Sequence, residues 1–332
     1  MSKEQLWKTL SHLSDRQLAV IEKITNKTGI IDKIDSDKLR SFIKQTDLRS
    51  LDVSGRPVCM IDTLDWDFPF FTFYFFNNIV ANVVYCLYKG WVPYINYIAP
   101  NRGINLWEEF MEQPYSIPSE VSTKSQKYMK MRYKFAPINF PDFPTEADIS
   151  LMGNLYSFFI PNKVTNDYFC DEYQRLIEGK RVLGVLCRGT DYTNSWIAGL
   201  PKQPTAEELI SIVKMKMGQL DCEYIYLATE EKSAFEKFCA AFPGKVIQNK
   251  RFYYDEQYYE KRGDENNHIL ISAIRNNRPN DDHYKYLEYL SSINILSKCN
   301  ALIAGTCGGS RAALYLNNGK YEYYKLIDKG LY

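Results

Sequence analysis

Apolar runs of strand length alternate with helical segments in the second half of the chain. Polar turn residues bound each run, and the runs lie at 182–187, 223–228, 244–247 and 300–304. Helical segments precede, separate and follow them, at 165–179, 204–210, 231–242, 286–299 and 312–316. Continuous apolar runs are typical of strands buried on both faces of a parallel sheet. The alternation therefore predicts a doubly wound α/β domain with right-handed crossovers.

The first half of the chain predicts a helical region followed by a smaller α/β unit. Leucine and isoleucine recur at helical spacing between residues 3 and 44, without recognisable chemistry. A β-α-β unit follows, with a strand at 57–62, a helix at 75–88 and a strand at 91–97. Further on, a short helix is predicted at 105–112 and a long irregular loop at 113–145.

These elements divide the chain into three predicted parts. The first is a helical extension at 1–50, the second a smaller α/β domain at 51–165, and the third the doubly wound α/β domain at 166–332. A length of 332 residues suits two domains of ordinary size.

One segment, 68–88, is apolar enough to suggest a membrane span, but polar residues argue against it. Asn77, Asn78 and Asn82 interrupt it near its middle, and a membrane-spanning helix of about 20 residues avoids such groups. Asn77 and Asn78 fall at the predicted start of the helix. They are interpreted either as helix caps or as an anion or sugar site at a helix N-terminus, and the first interpretation is the default.

Composition narrows the class of protein. Hydrophobic residues make up 45% of the chain and charged residues 24%, which is typical of a globular protein with a core. A net charge of +1 gives no sign of a nucleic-acid partner, and three histidines argue against a histidine-rich metal site. The eight cysteines form no C-x-x-C pair, so we expect buried free thiols in a reducing compartment. The first residues lack the apolar core of a signal peptide, and we expect a cytoplasmic protein.

Polar clusters follow three of the predicted strands, and these residues are our candidates for donor binding and catalysis. They are Arg188, Thr190 and Asp191, then Thr229, Glu230 and Glu231, and finally Thr306, Gly308, Gly309, Ser310 and Arg311. Because the carboxyl ends of parallel strands meet at one edge of a sheet, all three clusters are expected there. The third resembles a phosphate cradle, with glycines at a helix start, although neither a Walker A motif nor a G-x-G-x-x-G motif is present.

Each cluster also has a structural interpretation. Arg188 and Asp191 together either pin a loop or grip a phosphate, and the segment alone favours neither. Glu230 and Glu231 either complement a helix dipole or hold ribose hydroxyls and a base edge. A nucleotide diphosphate met by Arg188 and by the helix start at 308–311 fits the three clusters best.

At this point the motifs resemble a known family. Residues 187–191, 226–231 and 293–311 resemble, in order and spacing, three motifs of glycosyltransferase family 23, the α1,6-fucosyltransferases and their Nod-factor relatives. The resemblance covers about 182–316 and implies a GT-B-like fold of two Rossmann-type domains. It also implies a GDP-sugar donor, inversion at the anomeric carbon, and no metal or other cofactor. An oligosaccharide or lipid-linked glycan is the implied acceptor, which leaves a peripheral association with the inner face of the membrane open.

The resemblance assigns roles residue by residue. It implies that Arg188 neutralises the β-phosphate of the leaving GDP and that Glu230 and Glu231 contact guanosine. It implies a diphosphate held by the start of the last helix, through Gly308, Gly309, Ser310 and Arg311.

The chain departs from the family at four places. Leu186 replaces a histidine, Gly189 and Tyr192 replace basic residues, and no carboxylate occurs between Asp191 and Glu207. Asp191 is therefore our first candidate for the general base and Glu207 the second.

The resemblance thus predicts an inverting glycosyltransferase, a fucosyltransferase, that acts on a glycan in surface polysaccharide or glycoconjugate synthesis. Asn77 and Asn78 are then the candidate acceptor-binding residues. Two alternatives stay open. One is a non-catalytic nucleotide-sugar or glycan-binding module on the same fold, which the missing carboxylate suggests. The other is an α/β enzyme that uses a different nucleotide, such as a kinase, against which the missing phosphate-loop lysine argues.

Overall fold

The structure is a computed structural model of the whole chain. It describes residues 36–62, 72–99, 102–116, 129–132, 141–189, 201–254 and 276–332. Contacts along the chain divide it into two compact units. Unit 1 consists of Met1–Pro69, Phe76–Phe140 and Phe158–Ile160, and unit 2 of Phe70–Phe75, Pro141–Ser157 and Pro161–Tyr332. The domain boundaries predicted from the sequence stay a prediction.

Unit 1 contains a three-stranded parallel sheet in the order β2-β1-β5. Its strands are β1 (Val58–Asp62), β2 (Val92–Asn96) and β5 (Met129–Arg132). Helix α2 (Phe73–Tyr88) connects β1 to β2. The middle of the helix is buried, because Ile79, Val80, Val83 and Val84 are almost inaccessible to solvent, and Asn77 and Asn82 are buried with them. β5 lies inside the segment that the sequence predicts as an irregular loop.

The remaining elements of unit 1 pack around aromatic side chains. They are α1 (Ser36–Gln45), the antiparallel pair β3 (Ile98–Ala99) and β4 (Ile104–Asn105), and α3 (Leu106–Phe110). The Trp107 ring is fully buried and stacks on Phe76, with ring centroids 5.6 Å apart. The Asn105 side chain caps α3 by accepting a hydrogen bond from Trp107 N.

Unit 2 contains a five-stranded parallel sheet in the order β10-β9-β6-β7-β8. The strands are β6 (Val182–Leu186), β7 (Tyr224–Ala228), β8 (Val246–Ile247), β9 (Ala301–Gly305) and β10 (Tyr323–Ile327). Numbered from β6 as strand 1, and taken from β8 to β10, this is the order 3-2-1-4-5 of a doubly wound nucleotide-binding fold. The order reverses between β6 and β9.

Helices cover both faces of this sheet. On one face, α6 (Ala206–Gln219) and α7 (Lys232–Ala241) share a core with Leu183, Val185 and Ile225. On the other face, α8 (Asp281–Leu296) packs against β6 and β7 and also against α5 (Lys163–Leu176) and α9 (Gly308–Asn317). A further helix, α4 (Glu146–Tyr156), packs against α9.

The structure confirms the predicted fold class, α/β with two parallel-sheet units. Thr205 and Glu208 form a capping box at the start of α6. Six of the eight cysteines are buried as expected, whereas Cys170 is exposed and Cys239 is half-buried. The predicted start of α2 is wrong, because the helix begins at Phe73 and Asn77 lies inside it. In the part of the chain that the structure describes, no helix is long and apolar enough to cross a membrane. Most of the helical extension, 1–35, lies outside the described residues.

Candidate functional site

The three predicted strand ends lie side by side at one edge of the unit 2 sheet. β6 pairs with both β7 and β9 as far as Leu186. The last paired residues are Leu186, Ala228 and Ala304. Two residues after each of them come Arg188, Glu230 and Thr306, respectively. Neighbouring strands lie about 4.8 Å apart, so the backbones of these three residues follow strand ends that lie side by side. The reversal of strand order lies between β6 and β9, which is where doubly wound sheets bind ligands.

Arg188 is held by a carboxylate from the neighbouring strand end. Its Nη1 lies 3.1 Å from Glu230 Oε1, and the two side chains are 19% and 7% exposed. The Glu230 carbonyl in turn accepts a hydrogen bond from Tyr254 N at 2.8 Å. A nearly buried carboxylate needs such a partner, and the pair in turn fixes the direction of the guanidinium.

Cys187, which precedes Arg188, is a poor nucleophile. Burial raises the pKa of its thiol well above the ordinary value, and the Glu230 and Glu231 carboxylates raise it further. Its side chain belongs instead to the core beneath α6 and α7.

The Glu231 carboxylate lies over the backbone of Gly189. A Cβ placed on Gly189 would overlap Glu231 Oε2, so this position accommodates glycine as long as the carboxylate stays. Ser233 Oγ donates to Glu231 Oε1 at 2.6 Å and holds the carboxylate. Thr229 is buried, and its Oγ1 accepts a hydrogen bond from Glu231 N at 3.2 Å. Position 189, where the motif of family 23 has a basic residue, is therefore a glycine here because Glu231 occupies the space of a side chain.

Helix α9 begins directly at the glycine-rich segment, earlier than the predicted start at 312. Cys307 is its N-cap, and Gly308, Gly309 and Ser310 form its first turn. The Ser310 hydroxyl is buried in the cap, where it accepts from Cys307 N at 2.9 Å and donates to Cys307 O at 3.1 Å. Amides at the first turn of a helix have no partner within the helix, and they attract anions together with the helix dipole. Ser310 thus shapes the cradle, and the backbone supplies its donors.

Gly309 allows α9 to approach the end of β6 closely. A Cβ at this position would lie 3.0 Å from Ile293 Cδ1 and 3.5 Å from Leu186 Cδ2. Leu186 is the last residue of β6, directly before Cys187 and Arg188. The close approach therefore brings the first turn of α9 next to the strand end that carries Arg188.

Arg311 and Thr306 both bind Asp142, a residue that the sequence did not single out. Arg311 Nη1 lies 2.6 Å from Asp142 Oδ1, and Thr306 Oγ1 donates to Asp142 O at 2.7 Å. The Arg311 side chain is 14% exposed and the Asp142 side chain 48%. A second residue that the sequence missed, Gln203, donates to Thr306 O at 2.8 Å and is buried. Asp142 lies more than 160 residues before its partners, so no local pattern could indicate it.

The candidate bases have different outcomes. Thr190 and Asp191 lie outside the described residues, and their roles stay predictions. Glu207, the second candidate, pairs with Lys237 Nζ at 2.8 Å, and this hydrogen bond is the main cause that lowers its pKa to about 2. A carboxylate with so low a pKa is a weak base at neutral pH, which argues against Glu207.

The predicted sugar site at the N-terminus of α2 is wrong. Asn77 and Asn78 stand in the second turn of α2, and Asn77 is buried, so neither lies at a helix N-terminus. Their acceptor role stays a prediction. Within the described ranges, no three His, Cys, Asp or Glu side chains gather in a way that could hold a metal ion.

Comparison of the sequence with protein-family models gives no match, and comparison with curated proteins gives no significant match. Comparison of the fold with solved structures finds fucosyltransferase NodZ from Bradyrhizobium, at a TM-score of 0.44 and 10% identity over 78% of this chain and 93% of that chain. NodZ α-1,6-fucosyltransferase soaked with GDP-fucose gives 0.45 and 11%, over 76% and 94%. POFUT1 in complex with GDP gives 0.35 and 9%, over 61% of this chain, which spans 55% of that structure.

Proposed function

We propose that this protein is an inverting, metal-independent glycosyltransferase that uses a GDP-sugar, with GDP-fucose as donor and a glycan hydroxyl as acceptor. One observation carries the proposal. Arg188 and the start of α9 follow β6 and β9, the adjacent strands between which the strand order reverses. This switch point is the place where doubly wound sheets bind nucleotides. The motif resemblance to family 23 supports the identity of the nucleotide.

The diphosphate is bound by positive charge from two directions. Arg188 approaches from the end of β6, and the amides of Gly308 and Gly309 approach from the first turn of α9. Arg311 stands two residues beyond Gly309 in α9. Fixed donors of this kind stabilise charge that develops on a leaving group, and loss of one donor typically costs about 10²–10³ in rate.

The two acidic residues after β7 have separate roles in this proposal. Glu230 is nearly buried and orients Arg188. Glu231 is more exposed, lies over Gly189, and contacts the nucleoside.

The reaction transfers the sugar in one displacement. The acceptor oxygen attacks the anomeric carbon, the bond between that carbon and the β-phosphate oxygen breaks, and the electron pair leaves with GDP. Arg188 and the α9 amides stabilise the departing diphosphate. The acceptor proton passes to a general base, which we assign to Asp191 because the pairing of Glu207 with Lys237 disfavours Glu207.

A second candidate function is a non-catalytic module that binds a nucleotide sugar. It is favoured by the shortage of a general base. Glu207 is paired with Lys237 and weakly basic, and no other carboxylate occurs between Asp191 and Glu207. Thermal stability in the presence of GDP, UDP, ADP or CMP tests both candidates. The transferase proposal requires stabilisation by GDP and release of GDP from GDP-fucose when an acceptor is added. The binding module gives the first result without the second, and stabilisation by ADP alone contradicts both.

A further inference from the structure

The 141–144 loop, Pro-Asp-Phe-Pro, carries an exposed aromatic residue directly after Asp142, the residue that contacts Arg311 and Thr306. Phe143 is 44% exposed, whereas Pro144 after it is buried. A single exposed aromatic residue is common on protein surfaces, so exposure alone decides nothing. Phe143 stands out because it directly follows Asp142, which pairs with Arg311.

The loop is held to the site at two points, and a helix start follows it directly. Thr306 Oγ1 donates to the Asp142 carbonyl, and Arg311 Nη1 donates to the Asp142 carboxylate. Directly after the loop, Thr145 and Asp148 form a capping box that starts α4. Pro141 and Pro144 restrict the backbone on either side of Asp142 and Phe143. The ring of Phe143 is therefore carried on a rigid support, as a binding surface requires.

Asp142 shares Arg311 with the β-phosphate of the proposed donor. A guanidinium presents five N–H donors in one plane and can serve two anions. Oxygens that accept from neighbouring nitrogens of one guanidinium lie roughly 3–5 Å apart, because each lies about 2.9 Å from its nitrogen. A β-phosphate at Arg311 therefore places the attached hexose within reach of the Asp142 carboxylate and its neighbour, Phe143.

We propose that Asp142 and Phe143 bind the hexose of the donor, an inference that rests on the proposed function. The Asp142 carboxylate accepts a hydrogen bond from a sugar hydroxyl, and the Phe143 ring packs against the C–H face of the pyranose. A carboxylate beside an apolar ring matches the polar rim and apolar face of a sugar. Asp142 shares its guanidinium with the leaving group, which places it on the wrong side of the anomeric carbon to act as the base for inversion.

The test compares the affinities for GDP and for GDP-fucose by calorimetry. The variants are Phe143→Ala and Asp142→Asn, and the control is Met215→Ala, which truncates an apolar side chain of α6 that is 60% exposed. We expect Phe143→Ala to raise the Kd for GDP-fucose about 5- to 20-fold while the Kd for GDP changes less than twofold. Asp142→Asn is also expected to raise the Kd for GDP-fucose relative to the Kd for GDP. Met215→Ala is expected to leave the ratio of these two Kd values unchanged. A thermal melt of each variant confirms its fold.

Three outcomes overturn the assignment while leaving the proposed function intact. The first is equal weakening of GDP and GDP-fucose, which assigns the loop a structural role. The second is no change in either affinity. The third is an unchanged ratio of the two Kd values with a raised KM for the acceptor, which means that the ring meets the acceptor sugar. If the wild-type protein binds neither GDP nor GDP-fucose, the proposed function falls, and this inference falls with it.

Discussion

Arg188 and Glu230 join two neighbouring strand ends through an ion pair of 3.1 Å at the edge of the unit 2 sheet. The pair is largely shielded from water, so the carboxylate depends on the guanidinium. Removal of the whole arginine side chain would break this largely buried pair, and breaking a buried pair by removing one partner typically costs about 3–5 kcal/mol. Replacement by lysine keeps a positive charge but loses the planar fork that grips a phosphate. Arg188→Lys is therefore the cleaner probe of ligand binding.

Gly189→Ala is expected to destabilise the protein through its clash with Glu231. The added Cβ would displace a carboxylate that Ser233 holds, and overpacking of this kind costs about 1–3 kcal/mol. In a Glu231→Ala background the same change has room, and it should cost less than about 0.5 kcal/mol. Urea unfolding of the two single variants and the double variant gives the coupling energy. Additive effects of the two changes would show that the carboxylate does not lie over Gly189.

Gly309→Ala and Gly218→Ala should change stability in opposite directions, although both replace a helical glycine. Gly218 in α6 has open space around its Cα, so alanine should add about 0.5–1 kcal/mol through helix propensity. At Gly309 the new Cβ would meet Ile293, which is fully buried and has little room to move. We expect a loss of about 1 kcal/mol.

The same pair of variants also tests the cradle. Displacement of the first turn of α9 should weaken GDP binding several-fold in Gly309→Ala and leave it unchanged in Gly218→Ala. Calorimetric titration with GDP, alongside thermal melts, measures both effects. Equal GDP affinity in the two variants would mean that the start of α9 does not touch the ligand.

The sequence indicates this site because its signals are local. An apolar run that ends in Arg188, and another that ends in Thr306 and two glycines, carry the strand, its end and the chemistry together. Parallel topology then places both ends at one edge. Three contacts escape prediction because their partners are distant in sequence, as with Asp142 at Arg311 and Thr306 and Gln203 at Thr306.

Other elements, among them β10 and α4, and one helix start escape prediction for other reasons. β10 is an edge strand whose residues are all at least partly exposed, so Tyr323–Ile327 shows no continuous apolar run. Helix α4 carries buried residues without a strong helical stripe, and only its capping box marks its start. Asn77 suggests a helix cap, but the helix begins earlier, at an aromatic residue, Phe73, whose ring packs near Tyr156 and Tyr289.

Glu207→Gln should leave the transferase rate within about twofold of wild type. Its ion pair with Lys237 lowers the carboxyl pKa from 4.5 to about 2, so at neutral pH the group takes up a proton poorly. Because the folded-state pKa lies below the ordinary value, its small contribution to stability is present above pH 4.5. That contribution is lost as the pH falls towards 2. Thermal melts of wild type and variant should therefore converge at the acidic end.

Asp191→Asn is the matched comparison for Glu207→Gln. If Asp191 is the general base, its loss should lower the rate by about 10²–10⁴ while GDP affinity is retained. Initial rates of GDP release from GDP-fucose, measured with saturating acceptor, compare the two variants. A large loss in Glu207→Gln together with a small loss in Asp191→Asn would reverse the assignment.

The most direct measurement is calorimetric titration of GDP into wild type, Arg188→Lys and Arg181→Lys. Both arginines flank β6, but Arg181 lies at the opposite end of the strand, where it pairs with Glu322 at 2.6 Å. We expect Arg188→Lys to weaken GDP binding about tenfold or more, with little change in melting temperature, and Arg181→Lys to bind like wild type. Equal GDP affinity in Arg188→Lys and wild type would contradict a diphosphate site at the end of β6.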